Sequence, residues 1–405
     1  MENIADKILI DREKKDNLIK SYTDSYQVVS LKANIPGINK NIKEAFVIVS
    51  IFDKQILKYN PLKRMYFDSY DGPYIIYLFN KNKNLKKDMI KIESKNKLAR
   101  FIDIDVYLNQ CHSLNRSKPR TCYICNNNAL ICSRMKSHST EQLLKHIEKV
   151  TSSYLKRLIK KMINEAMLKE LNLHPKFGLV TPLTNGSHKD MDYNLMINAK
   201  NAILDDLVEM FMLGYTSNLD LDELFVKTRK IGIKADKHMF KATNNVNAYQ
   251  GLIFNLGLVL VNLGKALKEN LLLIDVFNNI KLMSKNFINE GNFGARKQAS
   301  DGYQIIQNLL YNDISNMNTL DILIYFINNL DDTVLLRRCK DQKVLRKVKE
   351  EFKHLDSSKK LLINQVNNDC IKNNLSFGGC ADLLVVSIFI DNFAKLFNKI
   401  YSYTN

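Results

Sequence analysis

The rhythm of apolar and polar positions changes near residue 150. Before about residue 110 the apolar residues come in short runs of mixed kind. "QVVSLKANIPG" begins with the texture of a strand and stops at a Pro-Gly turn. "KEAFVIVSIFDKQIL" carries apolar groups at helical spacing, whereas "PYIIYLF" and "ARFIDIDVYL" are short β-rich runs. A cysteine-rich loop follows, and then "SHSTEQLLKHIEKV". Here Ser139 is placed to cap a helix, Gln142 completes a capping box, and Leu143, Ile147 and Val150 form the buried stripe. Beyond it Leu155, Leu158, Ile159, Met162, Ile163 and Met167 recur at helical spacing, and similar patterns fill most of the remaining chain. The pattern predicts an α+β domain over 1–150 and a larger all-α domain over 151–405, its helices joined by polar, glycine-bearing turns.

A chain of 405 residues with 45% apolar content supports two or three packed domains and excludes global disorder. The start "MENIADKILIDREKK" alternates charge with short apolar groups, unlike a secretion signal. The most apolar stretch, 251–264, is broken by Asn255 and Asn262 and is shorter than the roughly 20 residues that cross a bilayer. A soluble cytoplasmic protein without a membrane partner is expected. Seven cysteines, an odd number, favour reduced thiols over a disulfide framework, and four of them crowd into 111–132. The net charge of +18 attracts polyanions, among them nucleic acid, phosphate-rich small molecules and acidic proteins. Basic residues are spread along the chain, with no tryptophan and no RNA-motif aromatics, so nucleic acid is not the expected partner.

Two stretches of the first domain carry chemistry. In "RFIDIDVY", Asp103 and Asp105 stand two apart in a β-type run, so both carboxylates point to one face. Mg2+-dependent phosphoryl or nucleotidyl transfer needs such a pair, and Arg100 just before it suits a phosphate. An edge strand with a charged outer face would look the same. In "KPRTCYICNNNALICSRMKSHS", Cys122, Cys125, Cys132 and His138 have zinc-ligand character. Their gaps of six and five residues lie outside the common zinc-finger spacings, and buried thiols packing a loop are the alternative.

The run from "LARFIDIDVY" through "LNRSKPRTCYIC", the third cysteine, Arg134 and "HSTEQLL" resembles the apo-citrate lyase phosphoribosyl-dephospho-CoA transferase family. "VSLKANIPG" also fits that family's opening strand and turn. The resemblance covers most of residues 10–150, with about 50–95 poorly matched. It implies a nucleotidyltransferase-like domain. In that chemistry a serine of the acyl-carrier (gamma) subunit of citrate lyase attacks the α-phosphate of triphosphoribosyl-dephospho-CoA and pyrophosphate leaves. It further implies Mg2+ on Asp103 and Asp105, with Arg100, Arg120 and Arg134 against the triphosphate, and His138 as a base or loop-orienting group.

Five polar turns recur in the helical half. "HPKFGLVTPLTNGSHKDMDYN" holds Lys176, Asn185, His188, Asp190 and Asp192, and "KADKHMFKATNNVNAYQG" holds Asp236 and Asn247. "GNFGARKQASDG" surrounds Arg296, "LDDTVLLRRC" holds Asp332, and "LSFGGCADLL" ends with Asp382. Each alone reads as a helix cap. Asp190 is the expected N-cap of a helix with the stripe Leu195, Ala199, Ala202, Ile203 and Leu207. Five together could converge on one polyanion site.

These runs, in this order, resemble triphosphoribosyl-dephospho-CoA synthase over roughly 165–395. The resemblance implies that dephospho-CoA attacks the anomeric carbon of ATP and adenine leaves. It implies Asp190, Asp236, Asp332 and Asp382 as candidate carboxylates, and Lys176, His188, Asn247 and Arg296 beside substrate phosphates. The chain departs from that family's pattern in several places. Tyr249 and Gln250 stand where the family has histidine and lysine, and Lys297 and Gln298 where it has glycine and glutamate. Val334 replaces an asparagine, and Cys339 and Lys340 a glycine pair. The expected function is therefore synthesis and attachment of the citrate lyase prosthetic group. The alternatives are a degenerate second half or the analogous malonate decarboxylase pathway.

Overall fold

The computed structural model describes residues 3–81, 85–108, 119–285, 294–311, 314–339 and 342–397. Cys111, the "LNRS" segment, residues 291–293 and Lys340 lie outside them. The chain forms two compact units, Met1–Leu155 and Lys156–Asn405.

The first unit is built on a four-stranded antiparallel sheet in the order β2-β3-β1-β4. Its elements run α1 (Ile4–Thr23), β1 (Gln27–Ala33), α2 (Lys43–Leu57), β2 (Lys63–Phe67), β3 (Tyr74–Phe79), α3 (Leu85–Ser94) and β4 (Ile102–Tyr107). The short α4 (Ala129–Arg134) and the long α5 (Thr140–Leu171) follow. The expected capping box is present, with Gln142 N–H donating to Ser139 Oγ at 3.1 Å and Ser139 N–H to Gln142 Oε1 at 3.0 Å.

Alternation gives the sheet two faces. Val29, Leu31, Ile102, Ile104 and Val106 are buried on one, the side of α2 and α3. On the other, Ser30 stands opposite Asp105 and Lys32 opposite Asp103. At the far end of that second face Ile19 of α1 packs against Val28, Ile76 and Tyr107. The same helix therefore carries Arg12, Lys15 and Asp16 toward the polar end.

The second unit is helical apart from its turns. It contains α6 (Tyr193–Thr216), α7 (Leu221–Ala242), α8 (Gln250–Glu269), α9 (Leu273–Met283), α10 (Ala295–Ser300) and α11 (Gln304–Tyr311). Then come α12 (Thr319–Asn329), α13 (Thr333–Arg338), α14 (Gln342–Lys353), α15 (Lys360–Lys372) and α16 (Gly378–Leu396). The core is the pair α6 and α8, flanked by α7, α9 and α16.

Two expectations need correction. The apolar stretch 251–264 extends into the 20-residue α8, long and apolar enough to cross a membrane, yet most of that helix is buried inside the second unit. Each of its two asparagines makes a hydrogen bond there, though Asn262 Oδ1 is buried without a partner. Asn255 Oδ1 accepts from Tyr303 Oη at 2.9 Å, and Asn262 Nδ2 donates to the Leu258 carbonyl at 2.9 Å. The second correction concerns α6. Its N-cap is Asp192, whose Oδ1 accepts from Leu195 N–H at 2.8 Å, and not Asp190, which lies too far ahead of the first turn.

Candidate active sites and a cysteine–histidine cluster

In the first unit a charged cluster covers the exposed end of the second sheet face. Arg120 enters from the chain beyond β4 and ties three groups together. It donates to Asp103 Oδ1 at 2.5 Å, to Glu93 Oε1 at 2.6 Å and to the Ile102 carbonyl at 2.8 Å. Glu93, nearly buried on α3, also accepts from Ile104 N–H at 2.9 Å, satisfying a donor of strand β4. On the other side Asp71 accepts from Lys32 and from Arg12, the latter at 2.9 Å. Burial acts to raise the Asp71 carboxyl, but these two cations hold it below its usual range. Asp105 behaves in the opposite way. Burial, and then the charge of Asp103, raise its affinity for a proton against the pull of Lys15, Lys86 and Arg120. Burial also lowers the Lys15 ammonium, with Asp105 opposing.

Two cavities open here. One of about 320 Å3 is lined by Arg12, Lys15, Asp16, Lys32, Asp71 and Asp103. The other, about 1080 Å3, is lined by the Pro36-Gly37 turn, Arg100, Arg120, the cysteine loop and the start of α5. They share Asn34, Ile35 and Lys40. Arg100, expected at a phosphate, instead donates to the carbonyls of Thr121 and Cys122, both at 2.8 Å, and so fastens the cysteine loop. Arg134 is exposed on α4 and is not among the residues lining the larger cavity. Lys15 and Arg12, which no motif singled out, line the smaller cavity with Asp71 and Asp103, and so does Lys32 of the "VSLKANIPG" run, which alternation on β1 places opposite Asp103.

The cysteine loop gathers its own cluster. One ligand atom from each of Cys122, Cys125, Cys132 and His138 lies within 4.8 Å of all the others. Cys132 Sγ is 3.4 Å from Cys122 Sγ and 4.0 Å from Cys125 Sγ. Burial raises the Cys122 thiol, but the N–H groups of Cys125 and Ile124 and the neighbouring thiols outweigh it and bring it to about 6. His138 Nε2 is buried without a hydrogen-bond partner.

In the second unit the turns meet around buried carboxylates. Asp332 caps α13, with Oδ1 accepting from Val334 N–H at 2.7 Å. Its Oδ2 accepts from Cys380 N–H at 2.9 Å, which joins the fourth turn to the fifth. Gly251 joins the second to the fifth: a Cβ there would lie 2.2 Å from Asp382 Oδ2. Gly178, at φ +79°, joins the first to the fifth, since a Cβ there would lie 2.2 Å from the Leu375 carbonyl. Gly294, ahead of Arg296, packs on Thr333, so the third turn adjoins the fourth. Burial, then the charges of Asp332 and Glu170, push the Asp382 carboxyl well above the usual range.

Lys176 is buried in an ion pair with Glu170 at 2.7 Å, so its charge is already matched. Arg338 donates to the Ser187 carbonyl at 2.9 Å and to His188 Nδ1 at 3.0 Å. Arginine can only donate, so the imidazole proton is on Nε2, which lies 3.0 Å from Ser376 Oγ. Burial and Arg338 bring the His188 pKa down to about 4, against Asp190. Asp190 is exposed, 3.9 Å from the imidazole. Asp236 sits half-buried on α7 with Gln250 Nε2 at 3.4 Å, and Gln250 in turn accepts from Asn247 Nδ2 at 3.0 Å. Burial raises the Asp236 carboxyl, and its Oδ1 has no partner. Arg296 is exposed at the start of α10. Glu170 and Arg338 were not among the expected site residues. Only the Arg-Arg pair of the fourth turn offered a signal.

Residues 4–154 match the family model of apo-citrate lyase phosphoribosyl-dephospho-CoA transferase. Residues 156–290 and 274–400 match that of ATP:dephospho-CoA triphosphoribosyl transferase. A protein named CitXG from Leuconostoc mesenteroides subsp. cremoris is 28% identical, over 95% of this chain and 96% of that one. Another CitXG, from Haemophilus influenzae, is 28% identical over 77% of each. A 2-(5''-triphosphoribosyl)-3'-dephosphocoenzyme-A synthase from Haemophilus ducreyi is 29% identical over 66% of this chain and 98% of its own length. The chain therefore belongs to the ATP:dephospho-CoA triphosphoribosyl transferase family and carries an apo-citrate lyase phosphoribosyl-dephospho-CoA transferase region ahead of it, a fusion of two transferases of citrate lyase prosthetic-group synthesis.

Proposed function

We propose that the C-terminal unit joins ATP to dephospho-CoA with loss of adenine, and that the N-terminal unit transfers the product to a serine of the citrate lyase carrier subunit with loss of pyrophosphate. The support is the order of the two family matches, together with a cluster of perturbed carboxylates in each unit. ATP and dephospho-CoA as substrates assign the work to the cytoplasm.

In the second unit Asp382 is the general acid. Held neutral by burial beside Asp332 and Glu170, it has a proton to give to the departing adenine. Asp332 is tied up by three backbone N–H groups and serves to set the Asp382 turn. Arg338 supplies the cation for the triphosphate in place of Lys176. His188 orients Arg338 and is not a base, since both its nitrogens are engaged. Asp236 and Asn247 border the site through Gln250.

In the first unit Asp103 and Asp105 would hold Mg2+. The donor set fits a hard cation: two carboxylates share one sheet face, and burial and then the charge of Asp103 raise the proton affinity of Asp105, an effect that a bound cation would oppose. When bound, Mg2+ supplies charge neutralisation at the phosphates. Arg120 holds Asp103 in place. Lys15, Lys32, Lys40 and Arg12 supply positive charge along the smaller cavity, where the leaving pyrophosphate is expected. An acidic carrier would be drawn to a chain of net charge +18.

The test is incubation of the purified chain with apo-carrier subunit, ATP and dephospho-CoA, following adenine release and the mass of the carrier. Adenine release with no mass gain would sink the transferase half. Mass gain only from supplied triphosphoribosyl-dephospho-CoA would identify a degenerate synthase half. That second outcome is the one Gln250 would favour, as a neutral amide beside Asp236 where the family resemblance implies an ammonium.

A further inference from the structure

We infer that Cys122, Cys125, Cys132 and His138 bind one zinc ion as a closed structural site. Four donors are the complement of a structural zinc centre, and three thiolates with one imidazole are among its usual sets. Tetrahedral bonds of about 2.3 Å to sulfur separate two sulfurs by about 3.8 Å. The pairs here, at 3.4 and 4.0 Å, bracket that distance, and all four donor atoms fall within 4.8 Å.

The backbone is shaped to hold them so. Cys122 N–H donates to the Asn127 carbonyl at 2.6 Å, Thr121 bridges Asn128, and Asn126 takes a left-handed φ of 60°. Together these close the Cys-x2-Cys turn. The Asn128 side chain then caps α4, accepting from Leu130 N–H at 2.9 Å, and α4 delivers Cys132. Ser137 N–H donates back to the Cys132 carbonyl at 3.1 Å, which folds His138 over the thiols. A second observation points to a ligand: His138 Nε2 is buried with no partner, which a polar nitrogen tolerates poorly unless something binds it.

Binding forms three zinc–sulfur bonds and one zinc–nitrogen bond and releases the thiol protons to buffer. No fifth position remains for substrate, so the ion's work is mechanical. The loop it would fix begins two residues after Arg120, and Arg100 grips its first carbonyls. Zinc thereby holds the arginine that positions Asp103.

The experiment uses the untagged full-length chain, purified reduced and dialysed against metal-free buffer. Zinc is counted by mass spectrometry. The stripped protein is then titrated with Co2+ and read by absorption. The expected result is about one zinc per chain, and cobalt uptake at the same stoichiometry with thiolate charge-transfer and tetrahedral bands. Cys125→Ser, at an exposed ligand, should weaken retention against a chelating dye by more than about tenfold. Cys339→Ser, outside the cluster, should not weaken it. No zinc together with no thiolate–cobalt bands would overturn the inference. So would undiminished uptake by both Cys125→Ser and His138→Ala, each checked for native circular dichroism. Metal content is read without any turnover, so a failure here is distinct from a failure of the proposed activities.

Discussion

Arg338 donates from a guanidinium nitrogen to Nδ1 of His188 at 3.0 Å, although the two residues are 150 positions apart in the chain. Burial, and then this contact, keep the imidazole neutral down to about pH 4. The sign of the linkage follows. The unfolded histidine, near 6.5, binds a proton that the folded one refuses, so this stabilisation is present above pH 6.5 and fades as pH falls toward 4. Its ceiling is on the order of 3 kcal/mol. His188→Gln should flatten that part of the pH dependence. The measure is the urea midpoint of parent and variant at pH 7 and pH 4.5, followed by circular dichroism. Equal pH sensitivity in the two proteins would refute it.

Asp103→Asn should lower transfer to the carrier subunit by about 100-fold or more while adenine release from ATP and dephospho-CoA stays at the parent rate. Loss of both activities, with native circular dichroism, would mean that the carboxylates had been assigned to the wrong step.

Arg120→Ala removes the cation that pairs with the nearly buried Glu93 at 2.6 Å. Destabilisation of roughly 3 kcal/mol is expected, confined to the first unit. Hydrogen exchange across β1 and β4 would detect it, and unchanged protection there would count against the account.

Gly251→Ala drives a methyl group into Asp382, where 2.2 Å is far inside van der Waals contact. Adenine release should fall by at least about tenfold, a cost of some 1–3 kcal/mol, and transfer of preformed triphosphoribosyl-dephospho-CoA should continue. Parent-like adenine release would show that the two groups have more room than this contact allows.

Asp382→Asn should reduce the rate of adenine release by about 100-fold to 10,000-fold. In the parent the rate should fall as pH rises through the elevated Asp382 pKa, because the acid then loses the proton it donates. That alkaline limb should vanish in the variant. A persistent limb would assign the acid to another residue.

Much of the local structure was legible in the chain. Period-two alternation put Asp103 and Asp105 on one face, and the Ser139–Gln142 box marked the start of α5. Asp190 and Asp192 show where local pattern runs out. Both are acids just ahead of an apolar stripe, and only the geometry of the first turn selects Asp192. The charged clusters were less legible still. His188 meets Arg338 across 150 positions, and Asp71 meets Arg12 across 59. No window of sequence contains such pairs. The cysteine cluster is the exception, with every donor inside 17 consecutive residues, 122–138.

The first helix has a practical bearing on how this protein is made and handled. Its Ile19 end is cemented into the apolar face, but Arg12, Lys15 and Asp16 form a wall of the smaller cavity, and Arg12 is bolted to Asp71. A preparation clipped by protease between Asp16 and Ile19 would keep the apolar anchor of the helix and the sequence of all four strands. It would have lost one side of the chamber, and its silence in an assay would be mistaken for an inactive enzyme.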